Sequence, residues 1–175
     1  VEQIDHLSKI ASEFSQFANI SNTRTELFDL HEILYSLSSL YESSEQVEFS
    51  WHPVSGKVMV EADRTQLNRL FTNLLQNAVE STLHRSDRSV KLEESILEGN
   101  VIIMVRDNGQ GIPEAMQSKI FTPNFTTKSS GTGLGLAMSK GIVEQAKGRI
   151  WFETREDVGT TFFVEIPLAT INGDR

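Results

Sequence analysis

The sequence has no cysteine. That excludes a disulfide framework and a thiolate metal site, and it fits a reducing compartment. Proline is scarce, four in 175 residues, so few positions are barred from regular elements. No apolar run approaches the roughly 20 residues that a membrane-spanning helix needs. Positive charge is also short: 16 Lys and Arg against 24 Asp and Glu leave a net charge of −8. That balance argues against general nucleic-acid or anionic-membrane binding, which needs clustered cations, while a locally basic pocket can still hold a small anion. Val1 opens the chain without an initiator Met or a signal peptide. The chain is therefore expected to be a piece of a longer protein, with room for further domains or membrane segments outside it.

What is present reads as one globular domain with an appendage. Ile4, Leu7, Ala11, Phe14 and Ala18 recur three and four apart, a heptad-like seam on a predicted helix. Two readings stay open: a helix packed on its own domain, or half of a helical hairpin or dimer stalk. The polar stretch "SNTRTE" follows as a linker. Asp29 and Glu32 resemble a capping pair for a helix with Leu30, Ile33, Leu34, Leu37, Leu40 and Tyr41 on one face. "VEFSW" and "KVMVEA" alternate as short strands around the turn "HPVSG", and Asp63 is placed to cap a long helix. "SVKLEESIL" and "NVIIMVRD" pair as a hairpin, a short helix follows Pro113, and "RIWFET" and "TTFFVEIP" close the chain as strands. This order predicts an α+β fold, a two-layer sandwich in which helices cover one face of a mixed, mostly antiparallel sheet, with a stalk-like first helix.

Between the last helix and what precedes it stands "FTTKSSGTGLGLAMSK", with Gly131, Gly133 and Gly135 on alternate positions. A P-loop would need G-x-x-x-x-G-K-S/T after a strand, and a dinucleotide fingerprint would need G-x-G-x-x-G; neither fits. What remains is a glycine-hinged lid running into a helix N-terminus suited to anions, flanked by Lys128 and Lys140, or else an ordinary glycine-rich cap. "RDNGQGIP" puts Asp107 at a strand end, where a carboxylate can accept from an exocyclic amine, with Gly109 and Gly111 leaving room for a flat base. Asn73 and Asn77 lie four apart on one side of the long helix, as surface amides or as oxygen donors toward Mg²⁺.

Taken in order, these stretches resemble the histidine-kinase branch of the ATPase superfamily that includes gyrase, the mismatch-repair ATPases and the large heat-shock chaperones. "NLLQNAVES" looks like its asparagine box, "DNGQGIP" its first glycine box and "IFTPNFTTK" its phenylalanine box. "GTGLGLAMSK" is similar to its second glycine box and "GTTFFVEIP" to its closing strand. The asparagine and phenylalanine boxes look most like those of nitrogen-regulation-type sensor kinases. The resemblance implies an ATP site. In it Asp107 would bind the adenine amine, with Gly109, Gly111 and Thr160 around the base, and Asn77 would ligate Mg²⁺. Asn73 would lie beside the phosphates. Lys128 and the stretch Gly131, Thr132, Gly133, Leu134 and Gly135 would hold the outer phosphates under a closing lid. Phe121 and Phe125 would anchor that lid or serve simply as core.

The resemblance also bears on the reaction. Hydrolysing members carry a glutamate four residues before the metal-binding asparagine, where it can polarise water. Here that place is Asn73, whose amide cannot accept a proton, so transfer to another acceptor is favoured over hydrolysis. None of the four histidines stands in the family's acceptor pattern; His31 precedes Glu32, but Ser36 occupies the proline position. The implied organisation is a remnant of a dimerisation hairpin at 1–20, a linker at 21–26, the catalytic domain at 27–168 and a tail at 169–175. The implied partners are ATP, a phosphoacceptor histidine domain of the same protein and a response regulator. The full-length protein would be a cytoplasmic homodimer, or one anchored in the inner membrane through segments outside this chain. An ATP-binding scaffold without transfer and an anti-sigma-type serine kinase are the alternatives.

Overall fold

The apolar periodicities resolve into five helices and seven strands in the computed structural model, which describes residues 2–20, 22–126 and 131–170. The first helix, α1 (Glu2–Ala18), shows two different sides. Phe17 and, just past the helix end, Ile20 pack on the domain core. Ile4, Leu7 and Phe14 of the heptad-like seam are 72%, 65% and 62% exposed. The seam thus faces away from its own domain, while the Phe17 side packs on it.

Next come β1 (Glu26–Asp29), α2 (His31–Glu42), β2 (Glu48–His52) and β3 (Met59–Ala62). β1 pairs antiparallel with β3, Glu26 opposite Ala62, in a small separate sheet. Two expectations need correction here. The strands around "HPVSG" are both present but do not pair with each other, because β2 joins the larger sheet and β3 the smaller. The expected capping pair is only half made, because Glu32 does not reach back to the helix start. The N-cap position is Leu30, with no side-chain cap. Asp29 Oδ1 accepts from the His31 N–H in the first turn and also from the distant Val58 N–H, both at 3.1 Å, while Glu32 pairs with Arg64.

The long helix α3 (Arg64–Ser81) starts as its sequence dictates: Asp63 accepts from the Gln66 N–H at 3.0 Å. Leu67, Leu70, Phe71, Leu74 and Leu75 are fully buried along one side. The strands β4 (Ser89–Leu97) and β5 (Asn100–Asp107) follow, joined through Glu98 and Gly99, both at positive φ as a tight two-residue hairpin requires. The chain then runs through α4 (Glu114–Gln117), α5 (Gly135–Gln145), β6 (Arg149–Arg155) and β7 (Gly159–Pro167).

The main sheet has the order β2-β4-β5-β7-β6, and only the edge pair β2–β4 is parallel. Every second residue of β5 and β7 is buried: Val101, Ile103 and Val105 against Phe162, Val164 and Ile166. Those side chains meet α3 and α5, so one face is covered by helices. On the other face Trp151 and Phe163 stack at 5.1 Å, and the Arg149 guanidinium lies over Trp151. The end of the chain ties both sheets together, with Ala169 N–H donating to the Met59 carbonyl at 2.8 Å and Leu168 N–H to the Gly99 carbonyl at 2.9 Å. Far from the glycine boxes, the fully buried Glu94 carboxylate gathers His31 Nε2 at 2.8 Å, Trp51 Nε1 at 2.8 Å and the Val54 N–H at 3.2 Å. His31 is therefore engaged in the fold.

Candidate nucleotide site

The end of β5 delivers one carboxylate into an almost closed setting. Asp107 is 6% exposed, and its Oδ1 accepts from the Gly109 N–H at 2.8 Å and the Thr160 N–H at 3.3 Å. Thr160 stands directly opposite on β7, and Ser81, whose hydroxyl donates to the Ala78 carbonyl at 2.7 Å, lies beside the same carboxylate at the end of α3. Burial holds the Asp107 carboxyl above its ordinary pKa, outweighing the polar groups of Gly109, Ser81 and Thr160 that pull the other way. A desolvated acceptor of this kind gains from any donor brought to it.

The glycines around Asp107 are demanded by the chain itself. A Cβ on Gly109 would stand 2.2 Å from Ser81 Oγ, and one on Gly111, at φ +72°, would stand 2.3 Å from the Arg155 carbonyl oxygen. Their side-chain positions therefore face protein, where the sequence suggested room for a base; contact with a base falls to their backbones. Two residues that the sequence did not single out brace this region. Arg85 Nε donates to the Asn108 carbonyl at 2.8 Å, and its Nη2 reaches the Asp157 carbonyl in the β6–β7 turn. Asn108 Oδ1 accepts from the Ser89 N–H at 2.9 Å, fastening the glycine box to β4.

Asn73 lies eight residues before Ser81 on α3, about 12 Å along the helix axis. Its Nδ2 donates to Ser139 Oγ at 3.0 Å, and that hydroxyl donates to the Gly135 carbonyl at 2.8 Å. A Cβ on Gly135 would meet Asn73 Oδ1 at 2.5 Å, so only glycine lets α5 start this close to α3. Asn77, one turn on from Asn73, is half-buried. No side chain caps α5 at Leu134 among the described residues, which leaves the first N–H groups of the helix to other acceptors. Gly133 takes φ +71° against the Asn124 backbone, and the Thr132 hydroxyl donates to Glu13 of α1. Gly131 is half-buried and Leu134 buried. Lys128 lies outside the described residues. Lys140 is exposed beside Glu144 at 3.9 Å, one turn on along the helix. Phe121 and Phe125 both pack on the core, Phe121 against the rings of Phe152 and Phe162.

Two groups thus stand along α3: the acceptor Asp107 with Thr160 beside the end of the helix, and a donor-rich place where Asn73 meets the start of α5. A separate polar cavity of about 730 Å³, between the end of α1, Arg24 and the start of α3, touches neither.

Residues 62–170 match the family described as histidine kinase-, DNA gyrase B- and HSP90-like ATPase, and the chain belongs to that family. Within it, the chain has the ATP-binding catalytic domain of the histidine-kinase type. The catalytic domain of histidine kinase ThkA is 35% identical with a TM-score of 0.74, covering 83% of this chain and 97% of that one. ThkA in complex with the response regulator TrrA is 29% identical with a TM-score of 0.76, covering 97% of this chain and 50% of that one. The sensor histidine kinase ZraS of Salmonella typhimurium is 31% identical over 170 residues, 95% of this chain and 36% of that protein. The chain spans about a third of the length of this curated relative.

Proposed function

We propose that the domain binds Mg-ATP along α3, adenine at the Asp107 end and phosphates at the Asn73 end, and passes the γ-phosphate to a histidine on a separate segment of the protein. One observation supports this reading above the others: a single helix carries both Ser81, beside the buried acceptor of β5, and Asn73, against the uncapped start of α5, about 12 Å apart along its axis. Asp107 would accept from the 6-amino group, with Thr160, Gly109 and Gly111 around the ring. The first N–H groups of α5 and the backbone of Gly131, Thr132, Gly133, Leu134 and Gly135 would hold phosphate oxygens, with Lys128 as cation.

Among the described residues no group of three or more His, Cys, Asp or Glu is placed to hold a metal ion by itself. Magnesium binds through one or two protein oxygens together with substrate phosphates and water, a demand that a single amide oxygen on α3 suits. Asn77 would supply the protein oxygen, and the ion would offset charge on the phosphates. Asn73 holds an amide where a water-activating base would need a carboxylate, so the site orients ATP without priming water. An acceptor imidazole nitrogen then bonds the γ-phosphorus as the bond to the β-phosphate oxygen breaks, and ADP leaves with that electron pair. Such transfer rests mainly on positioning and charge neutralisation.

The exposed seam of α1 is suited to an apolar helix from a second segment or copy, consistent with a homodimer, and a response regulator would receive the phosphoryl group. No helix among the described residues is long and apolar enough to cross a membrane. A domain that draws on ATP and serves a response regulator would work in the cytoplasm. The test combines the domain with a separately made acceptor hairpin and γ-labelled ATP. Acid-labile, base-stable label on the acceptor is expected. Label of the opposite stability indicates serine transfer, and ATP binding with no label under any condition removes the kinase reading.

A further inference from the structure

Asp107, Thr160 and Thr154 form one row across β5, β7 and β6, each pair directly in register. Thr154 is the knot of that row. Its Oγ1 accepts from the Ile112 N–H at 2.9 Å, lies 3.2 Å from the Gly159 carbonyl oxygen and 2.8 Å from Thr160 Oγ1. A threonine hydroxyl has one proton and two acceptor positions. The Ile112 N–H takes one acceptor position. If the Thr154 proton goes to the Gly159 carbonyl, the Thr160 proton fills the second position, and every group in the cluster is matched. If it goes to Thr160 instead, the Gly159 carbonyl loses this donor. The first arrangement matches both threonine protons, the Ile112 N–H and the Gly159 carbonyl, and buried polar groups favour it. It turns the Thr160 proton away from Asp107 and leaves its lone pairs as an acceptor beside the carboxylate.

We propose that Thr154 is a positioning residue for base selection, one that orients the Thr160 hydroxyl so that the site presents acceptors to a 6-amino purine and disfavours a 6-oxo purine. This rests on the nucleotide site proposed above. Thr154 also ties Ile112 of the first glycine box to the β6–β7 turn, so the same hydroxyl sets the position of the backbone next to Asp107. Neither task is visible in the sequence, where Thr154 is one more strand threonine.

Valine keeps the shape of threonine and removes the hydroxyl, so in Thr154→Val the Thr160 proton is released toward the ligand. Calorimetric titration of the whole chain with Mg-ATP and with Mg-GTP reads the effect. The ATP-over-GTP affinity ratio is expected to fall about tenfold or more in Thr154→Val, and to stay within about threefold of wild type in Thr154→Ser. Thr154→Ala, measured alongside with circular dichroism, serves if valine disturbs folding, and the same fall is expected. An unchanged ratio in folded Thr154→Val and Thr154→Ala, including equal weakening of both nucleotides, overturns the assignment. Absence of ATP binding by the wild-type chain instead overturns the nucleotide site itself, and the role of Thr154 with it.

Discussion

Replacing Asp107 by asparagine separates what the buried carboxylate does for the fold from what it does for the ligand. The two backbone donors, Gly109 at 2.8 Å and Thr160 at 3.3 Å, fix the new amide oxygen in the place of Oδ1. The amide NH₂ then occupies the other position, where the proposed site needs an acceptor. For the fold the exchange costs little, because burial already disfavours the charged form of Asp107. For the ligand it removes a charge-assisted hydrogen bond of about 1.5–3 kcal/mol, or about 10- to 150-fold in Kd for Mg-ATP. Thermal unfolding without nucleotide should show Asp107→Asn at least as stable as wild type at neutral pH. Calorimetry should show the weakened binding. An Asp107→Asn protein that folds normally and binds Mg-ATP within about threefold of wild type would refute the reasoning.

The same carboxyl gives the ligand-free domain a pH dependence. Its folded pKa is raised, so its contribution to stability is fully present below the unfolded pKa and is lost as pH rises through the folded one; melting curves across that interval should show the slope in wild type and a smaller slope in Asp107→Asn. Gly135→Ala drives a methyl to 2.5 Å from Asn73 Oδ1 and should weaken Mg-ATP binding at least tenfold by displacing the start of α5, as titration would show. Gly111→Ala combines φ +72° with a 2.3 Å approach to backbone and should cost about 3 kcal/mol or more in denaturant unfolding. Glu94→Ala leaves the Trp51 and Val54 N–H groups without their acceptor and should cost about 2–4 kcal/mol, yet leave the nucleotide Kd of the folded protein unchanged.

The strands of the main sheet were legible because each carries its period of two over several residues. β5 alternates apolar side chains on its covered face, and Glu98-Gly99 announces the turn before it. What alternation cannot say is which strand pairs with which. "VEFSW" and "KVMVEA" have the same signature, yet one is the parallel edge of the large sheet and the other half of the small one. β1 was missed because four residues, with Leu27 exposed and Phe28 buried, are too few to show a period. Asp29 serves the start of α2 as a local pattern suggests, but its second partner, the Val58 N–H, lies 29 residues away and beyond any local reading. The site divides in the same manner. Asp107, the glycines and the asparagine pair are short-range patterns, and a family resemblance could order them. Ser81, Arg85 and Thr154 act only through neighbours the fold supplies, and no local signal marks them.

The hydrogen bond from the Thr160 N–H to Asp107 joins residues 53 apart, with the closing strand as donor. On the ribosome, at about 5–20 residues per second, that separation is about 3–10 s of synthesis. During that time the middle of the sheet lacks its partner, and the strand edge that β7 will cover stays open to other chains. The pocket is consequently among the last features of the domain to mature, and a nascent chain stalled before Gly159 would have its long helix but no means of gripping a purine.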